Sequence, residues 1–158
     1  MQQSRWIRGI GATVVLGLLA ELGGWLVAGA ETGGDLRFDE VRRQTEEFMR
    51  YDREIELTPE QLQVFEEALD ALPAPCCSDR TATTCCCKCN MARSWWGLAK
   101  HLIADQGQGA EEVRSAVAEW IEFIHPEGYN GDACYKGRCG RPFQHDGCGG
   151  MSAGEVAF

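Results

Sequence analysis

Cysteine is concentrated in one short segment of this chain, and that segment constrains the fold strongly. Six of the nine cysteines lie between positions 76 and 89, in the sequence Cys-Cys-Ser-Asp-Arg-Thr-Ala-Thr-Thr-Cys-Cys-Cys-Lys-Cys. Adjacent cysteines pair poorly with each other, because a disulfide needs separated Cα atoms and suitably turned Cβ vectors. Nor can neighbouring thiols all point into a core. The segment therefore offers several sulfurs at one place, either to a thiophilic metal or to thiol–disulfide exchange.

The first 30 residues have the composition of an export signal. Arg5 and Arg8 form a basic start, an apolar stretch follows, and residues 28–30 form a small-x-small cleavage site. We therefore expect an exported protein in the periplasm or another extracytoplasmic compartment. The alternative is an uncleaved membrane anchor formed by residues 10–30, although Glu21 and nearby glycines disfavour a transmembrane helix.

Charge and cysteine count exclude some functions and favour others. The 24 acidic and 15 basic residues give a net charge of −9, which excludes a protein that binds nucleic acid through its phosphate backbone. Nine cysteines in an oxidising compartment ordinarily form disulfides, but an odd number leaves at least one thiol over. The chain contains no motif of a conventional hydrolase or kinase. Whether the protein is an enzyme stays open.

The sequence after the signal predicts a mostly α fold, a small helical bundle with a Cys-rich loop. Apolar spacing predicts helices at about 36–51, 59–72, 90–106 and 110–125. The second has the clearest start, with Thr58 as N-cap, Pro59 at the first position and Gln61 completing a capping box. The last two predict an antiparallel hairpin. We expect the helical domain at 31–127 and a Gly/Cys-rich tail at 128–158 that needs a crosslink or a metal to become ordered.

The loop and the tail together hold the candidate metal ligands. Six loop sulfurs exceed the four of a zinc site, so Cu(I) is expected first and Zn(II) second. His145 is the histidine best suited to join them, because it lies close to Cys148, whereas His101 and His125 fit ordinary helical positions. The candidate ligands are Cys76, Cys77, Cys85, Cys86, Cys87, Cys89, Cys134, Cys139, His145 and Cys148.

Two alternatives to metal binding remain open. Cys86-x-x-Cys89 directly precedes the third predicted helix, whose first N–H groups and dipole favour a thiolate, so Cys86 and Cys89 are candidate catalytic residues of a thiol–disulfide oxidoreductase. The other alternative is a disulfide-stapled structural or interaction module. The expected partners are a metal ion and another exported metal- or thiol-handling protein, with membrane contact only through an uncleaved N-terminal segment.

The cysteine pattern resembles that of a known family. Pro75-Cys76, a Cys-rich loop and Cys86-x-x-Cys89 before a helical hairpin are similar to the exported proteins known for a Pro-Cys-Tyr-Cys-x-Cys motif (the PCYCGC or CYCXC family). The resemblance covers about Leu62–Tyr129. The chain differs in its adjacent cysteines at 76–77 and 85–87, and its tail has no counterpart. Some members are described as selenoproteins, so the resemblance implies redox chemistry.

A weaker resemblance is to the three-helix thiol oxidoreductases of cytochrome c maturation. It rests on Cys86-x-x-Cys89-Asn90, on Ala99-Lys100 and on the sequence at 127–129, Glu-Gly-Tyr. This resemblance implies a helical hairpin and thiol exchange by Cys86 and Cys89.

Overall fold

A computed structural model of the protein describes residues 36–77, 79–126, 137–145 and 147–158. The predicted export segment, residues 1–30, and Cys134 lie outside these described residues. The helices are α1 (Val41–Glu54), α2 (Pro59–Asp70), α3 (Asn90–Ala104) and α4 (Ala110–Ile124), with short 3-10 helices at Arg138–Gly140 and Phe143–His145. The described ranges contain no strand, and extended pairing there is limited to an isolated bridge. The predicted mostly α fold, a small helical bundle, is confirmed. In the described part, no helix is long and apolar enough to cross a membrane.

Local capping decides where the first two helices begin. α1 begins later than predicted because the Glu40 carboxylate accepts hydrogen bonds from the backbone N–H groups of Arg42 and Arg43 and so acts as the N-cap. α2 has the predicted capping box, in which Thr58 and Gln61 exchange side-chain and backbone hydrogen bonds.

Helix α3 is the centre of the bundle, since it packs against the other three helices and most extensively against α1. Gly97 allows the close approach to α1, because an added Cβ would lie 1.7 Å from the Phe48 carbonyl oxygen. Beside this crossing, the Lys100 ammonium is 2.9 Å from the Asp52 carboxylate. On another side, the Trp120 indole N–H donates to Ser94 Oγ at 2.9 Å, which joins α4 to α3.

The Cys-rich loop is tied to the helices at Ala82. The Ala82 carbonyl accepts hydrogen bonds from the indole N–H groups of Trp95 (3.2 Å) and Trp96 (2.8 Å), and the Ala82 N–H donates to the Leu72 carbonyl (2.8 Å). Pro73 forms the isolated bridge with Thr81. The two tryptophans therefore hold the middle of the loop against α3.

The described part of the tail packs on the N-terminus of α3. The backbone N–H groups of Asn90 and Met91 donate to the carbonyls of Gly150 (2.9 Å) and Cys148 (3.1 Å). Four N–H groups at a helix start have no partner within the helix, so the tail supplies acceptors for two of them. Gly149 and Gly150 have φ values of +76° and +92°, which favour glycine. This turn places Cys148 beside the start of α3.

Candidate functional site

Four cysteines from distant parts of the chain meet in the interior. Cys76 begins the loop, Cys85 lies near its end, Cys89 is the N-cap of α3, and Cys148 belongs to the tail. All four carry free thiols and are at most 7 % exposed. The Cys76 thiol interacts with those of Cys85 and Cys148, and the Cys148 thiol also interacts with that of Cys89. We call this group the four-thiol cluster.

The pKa values of the four thiols in the cluster are shifted in opposite directions. Hydrogen bonds from Cys148 and then from Cys85 lower the pKa of Cys76. The same bonds raise the pKa of Cys148 and of Cys85, since each donates its proton to Cys76 and is also desolvated. The pKa of Cys89 is lowered, chiefly by Cys148. The four-thiol cluster therefore contains two thiols with lowered pKa values, Cys76 and Cys89, which accept hydrogen bonds from two thiols with raised pKa values.

The position of Cys89 at the start of α3 adds to this effect. Its side chain makes no capping hydrogen bond of ordinary geometry, but the Ala92 N–H in the first turn still acts on the sulfur and lowers its pKa. The sequence predicted a thiolate here from the helix start alone. The larger cause is Cys148, which approaches only through the tertiary fold.

The remaining cysteines of the loop lie outside the four-thiol cluster. Cys77 is buried, but its thiol donates to the Asp79 carboxylate at 3.0 Å. Cys86 is exposed and Cys87 half-buried, and their sulfurs are 3.7 Å apart. The Cys85 thiol contacts the Cys87 carbonyl oxygen at 3.6 Å. Three of the six loop sulfurs, those of Cys76, Cys85 and Cys89, thus belong to the four-thiol cluster, and the described contacts of the other three are with different groups.

Two further candidate ligands lie on the short helices of the tail. His145 is exposed in the second 3-10 helix, and Cys139 is half-buried in the first. His101 stacks on Tyr51, with ring centroids 4.4 Å apart, and its Nδ1 lies 2.7 Å from the Asp105 carboxylate. This half-buried surface position is the one that the sequence predicted for His101.

The four-thiol cluster is not a preformed metal cage. In the described ranges, no group of three or more His, Cys, Asp or Glu side chains is arranged to hold a metal ion. Instead the sulfurs are linked in the order Cys85, Cys76, Cys148, Cys89. A zinc ion would lie about 2.3 Å from each of four sulfurs, so binding requires the chain of sulfurs to close around one point. The donor set itself, four buried thiols, fits a thiophilic ion.

From the sequence, a zinc site would join Cys86 and Cys89 to two tail ligands, either Cys134 with Cys139 or His145 with Cys148. The structure also brings Cys148 near Cys89, but with Cys76 and Cys85 as the other members. The usable signal was the Gly-Cys-Gly-Gly sequence at 147–150, since small neighbours let a backbone approach another closely. At Gly147 an added Cβ would lie 2.3 Å from the Arg141 carbonyl oxygen.

Comparisons with known protein families, with curated proteins and with solved structures found no match to this chain. The resemblance to the PCYCGC family therefore stays a prediction.

Proposed function

We propose that this protein binds one thiophilic metal ion through the four-thiol cluster, with Zn(II) as the first candidate and Cu(I) as the second. The observation that carries the proposal is the contact among four buried thiols from separate segments. The sequence favoured Cu(I) because the loop has more sulfurs than zinc needs. Only three of those six sulfurs join the cluster, and Cys148 makes the fourth, which is the number that a structural zinc site uses.

The shifted pKa values also suit metal binding. Metal ions bind thiolates rather than thiols, and the surroundings of Cys76 and Cys89 lower the pKa values of these two groups. Binding of a cation would also offset the negative charge of thiolates in the interior, where unpaired charge is costly.

Export is part of the proposal. In an oxidising compartment, thiols from separate segments that meet in the fold form disulfides readily, whereas thiolates bound to a metal are protected from oxidation. Bound metal would also hold the tail on α3, because Cys148 lies on the tail and Cys89 at the helix start.

The test compares two neighbouring cysteines. The full chain would be reduced, freed of metal and mixed with Zn(II), and native mass spectrometry would count the ions bound. We expect one zinc per chain in the wild type and in Cys77→Ser. Cys76→Ser should bind zinc at least about tenfold more weakly, a loss of about 1.4 kcal/mol. Absence of zinc binding in the wild type, or an equal loss in both variants, would contradict the proposal.

Thiol–disulfide exchange by Cys86 and Cys89 is the second candidate, supported by the lowered pKa of Cys89 and the exposure of Cys86. Against it, Cys89 is fully buried and its sulfur interacts with Cys148. The same mass spectra decide between the candidates, since each disulfide removes two hydrogens from the mass. A metal-free protein that gains and loses one such bridge in a thiol buffer would favour exchange.

A further inference from the structure

We propose that Cys86 and Cys87 form a separate surface site that takes a thiophilic ion from a small-thiol carrier and passes it to the four-thiol cluster through Cys85. The inference rests on the proposed function, because a surface exchange site has a role only if the cluster binds metal.

The geometry of three consecutive residues carries this inference. The sulfurs of Cys86 and Cys87 are 3.7 Å apart, and Cys86 is exposed. Cys85, the preceding residue, is 7 % exposed, and its thiol interacts with Cys76 inside the cluster. The Cys85 sulfur also lies 3.6 Å from the Cys87 carbonyl oxygen. The segment 85–87 therefore leads from a surface pair of sulfurs to a buried sulfur of the cluster.

Burial explains why the cluster needs such a site. Cys76, Cys89 and Cys148 are fully buried, so an ion still bound to carrier thiols cannot contact them. Soft ions exchange thiolate ligands one at a time. A series of neighbouring thiols can therefore pass an ion from one to the next without releasing it to water. Residues 85–89 have no regular secondary structure, so this segment can shift without breaking a helix.

Each exchange step balances in atoms and charge. The Cys86 thiol replaces one carrier thiolate on the ion, and its proton leaves on the departing carrier thiol. Cys87 replaces the second carrier thiolate in the same way. Cys85 then displaces Cys86, which regains a proton, and the cluster sulfurs complete the transfer. No oxidant or reductant takes part, and the only co-reactant is the carrier thiol.

The first experiment measures the rate of transfer separately from the final amount bound. Zn(II) complexed with glutathione would be mixed with the full chain, and native mass spectrometry would follow the ion count with time. The double variant Cys86→Ser/Cys87→Ser should load at least about tenfold more slowly than wild type and reach the same final count of one. The Cys139→Ser variant, which removes a half-buried thiol in the first 3-10 helix, should load at the wild-type rate.

The outcomes separate this inference from the proposed function. An unchanged rate in the double variant would overturn the exchange site and leave metal binding by the cluster intact. A folded double variant that binds no zinc would show that Cys86 and Cys87 are ligands of the same site, which also overturns the inference. Absence of binding in the wild type, even from uncomplexed Zn(II), would overturn both.

A second probe tests the surface pair directly. Phenylarsine oxide condenses with two neighbouring thiols and releases one water, so it marks a pair of sulfurs that can reach one atom. The zinc-loaded wild type should form an adduct at Cys86 and Cys87, because its cluster thiols are occupied, and the zinc-loaded double variant should form one adduct fewer. A zinc-loaded wild type without an adduct would contradict the paired geometry.

Discussion

Replacing Asn90 with alanine should release the tail from α3 and so disturb the cluster from a distance. The Asn90 side chain is fully buried, and its amide donates to the carbonyls of Gly149 (2.8 Å) and Glu155 (2.7 Å). These two hydrogen bonds join the start of α3 to the first and the last residue of the tail segment 149–155. Alanine removes both donors. The Gly149 carbonyl still accepts from the Ala157 N–H at 2.8 Å, whereas the Glu155 carbonyl loses its donor.

The size of the effect follows from these contacts. Two hydrogen bonds contribute about 1–3 kcal/mol together, and the one carbonyl left without a donor costs a further ~1–2 kcal/mol. Two terms act in the other direction. Asn90 Oδ1 is buried with no hydrogen-bond partner among the described residues, so its removal recovers about 1–2 kcal/mol, and alanine is the better helix former by roughly 0.5 kcal/mol. The middle of these ranges gives a net loss of about 1–2 kcal/mol in tail docking.

Hydrogen exchange measures this loss at the tail itself. The amides of Gly149 and Ala157 donate to Arg141 and Gly149 carbonyls in the docked tail. Their protection should fall about 5- to 30-fold in Asn90→Ala, while amides in the middle of α4 change little. Gln106→Ala, which removes an exposed amide, should leave all of them unchanged. Unchanged protection at the tail, or an equal loss in α4, would refute the reasoning.

Two further predictions concern stability. Gly97→Ala should lower the free energy of unfolding by about 1–3 kcal/mol, because the new Cβ meets the Phe48 carbonyl, whereas Gly140→Ala meets nothing within 4 Å and should be near neutral in thermal unfolding. In the reduced, metal-free protein, folding raises the pKa values of Cys85 and Cys148. The stability that this contributes is fully present at pH values below the ordinary thiol pKa of about 8.5. Stability should fall as pH rises above that value, since the unfolded chain loses protons that the folded chain retains. Urea unfolding should show a shallower fall in Cys148→Ser, and a stability that rises with pH in this range would contradict the assignment.

Helix positions were predictable because their signals are local. The capping box of Thr58 and Gln61 and the apolar spacing of α3 depend on residues within a few positions of each other, so the sequence predicted both. The start of α1 was misplaced by several residues, because the apolar pattern begins at Leu36 whereas Glu40 supplies the cap. Capping by a carboxylate outweighed the apolar pattern at that position.

The candidate site was only partly predictable, because thiols of the same chemistry have different surroundings. Cys76 and Cys77 are adjacent and both buried, yet Cys76 joins the cluster and Cys77 donates to Asp79. The sequence by itself determined that many sulfurs lie in one loop, that a helix begins at Asn90, and that a further cysteine lies among glycines in the tail. Only the tertiary structure decided which sulfurs meet, because that depends on where Ala82 and the tail are anchored on α3. Those anchors join residues far apart in the chain, and local sequence carries no information about such distances.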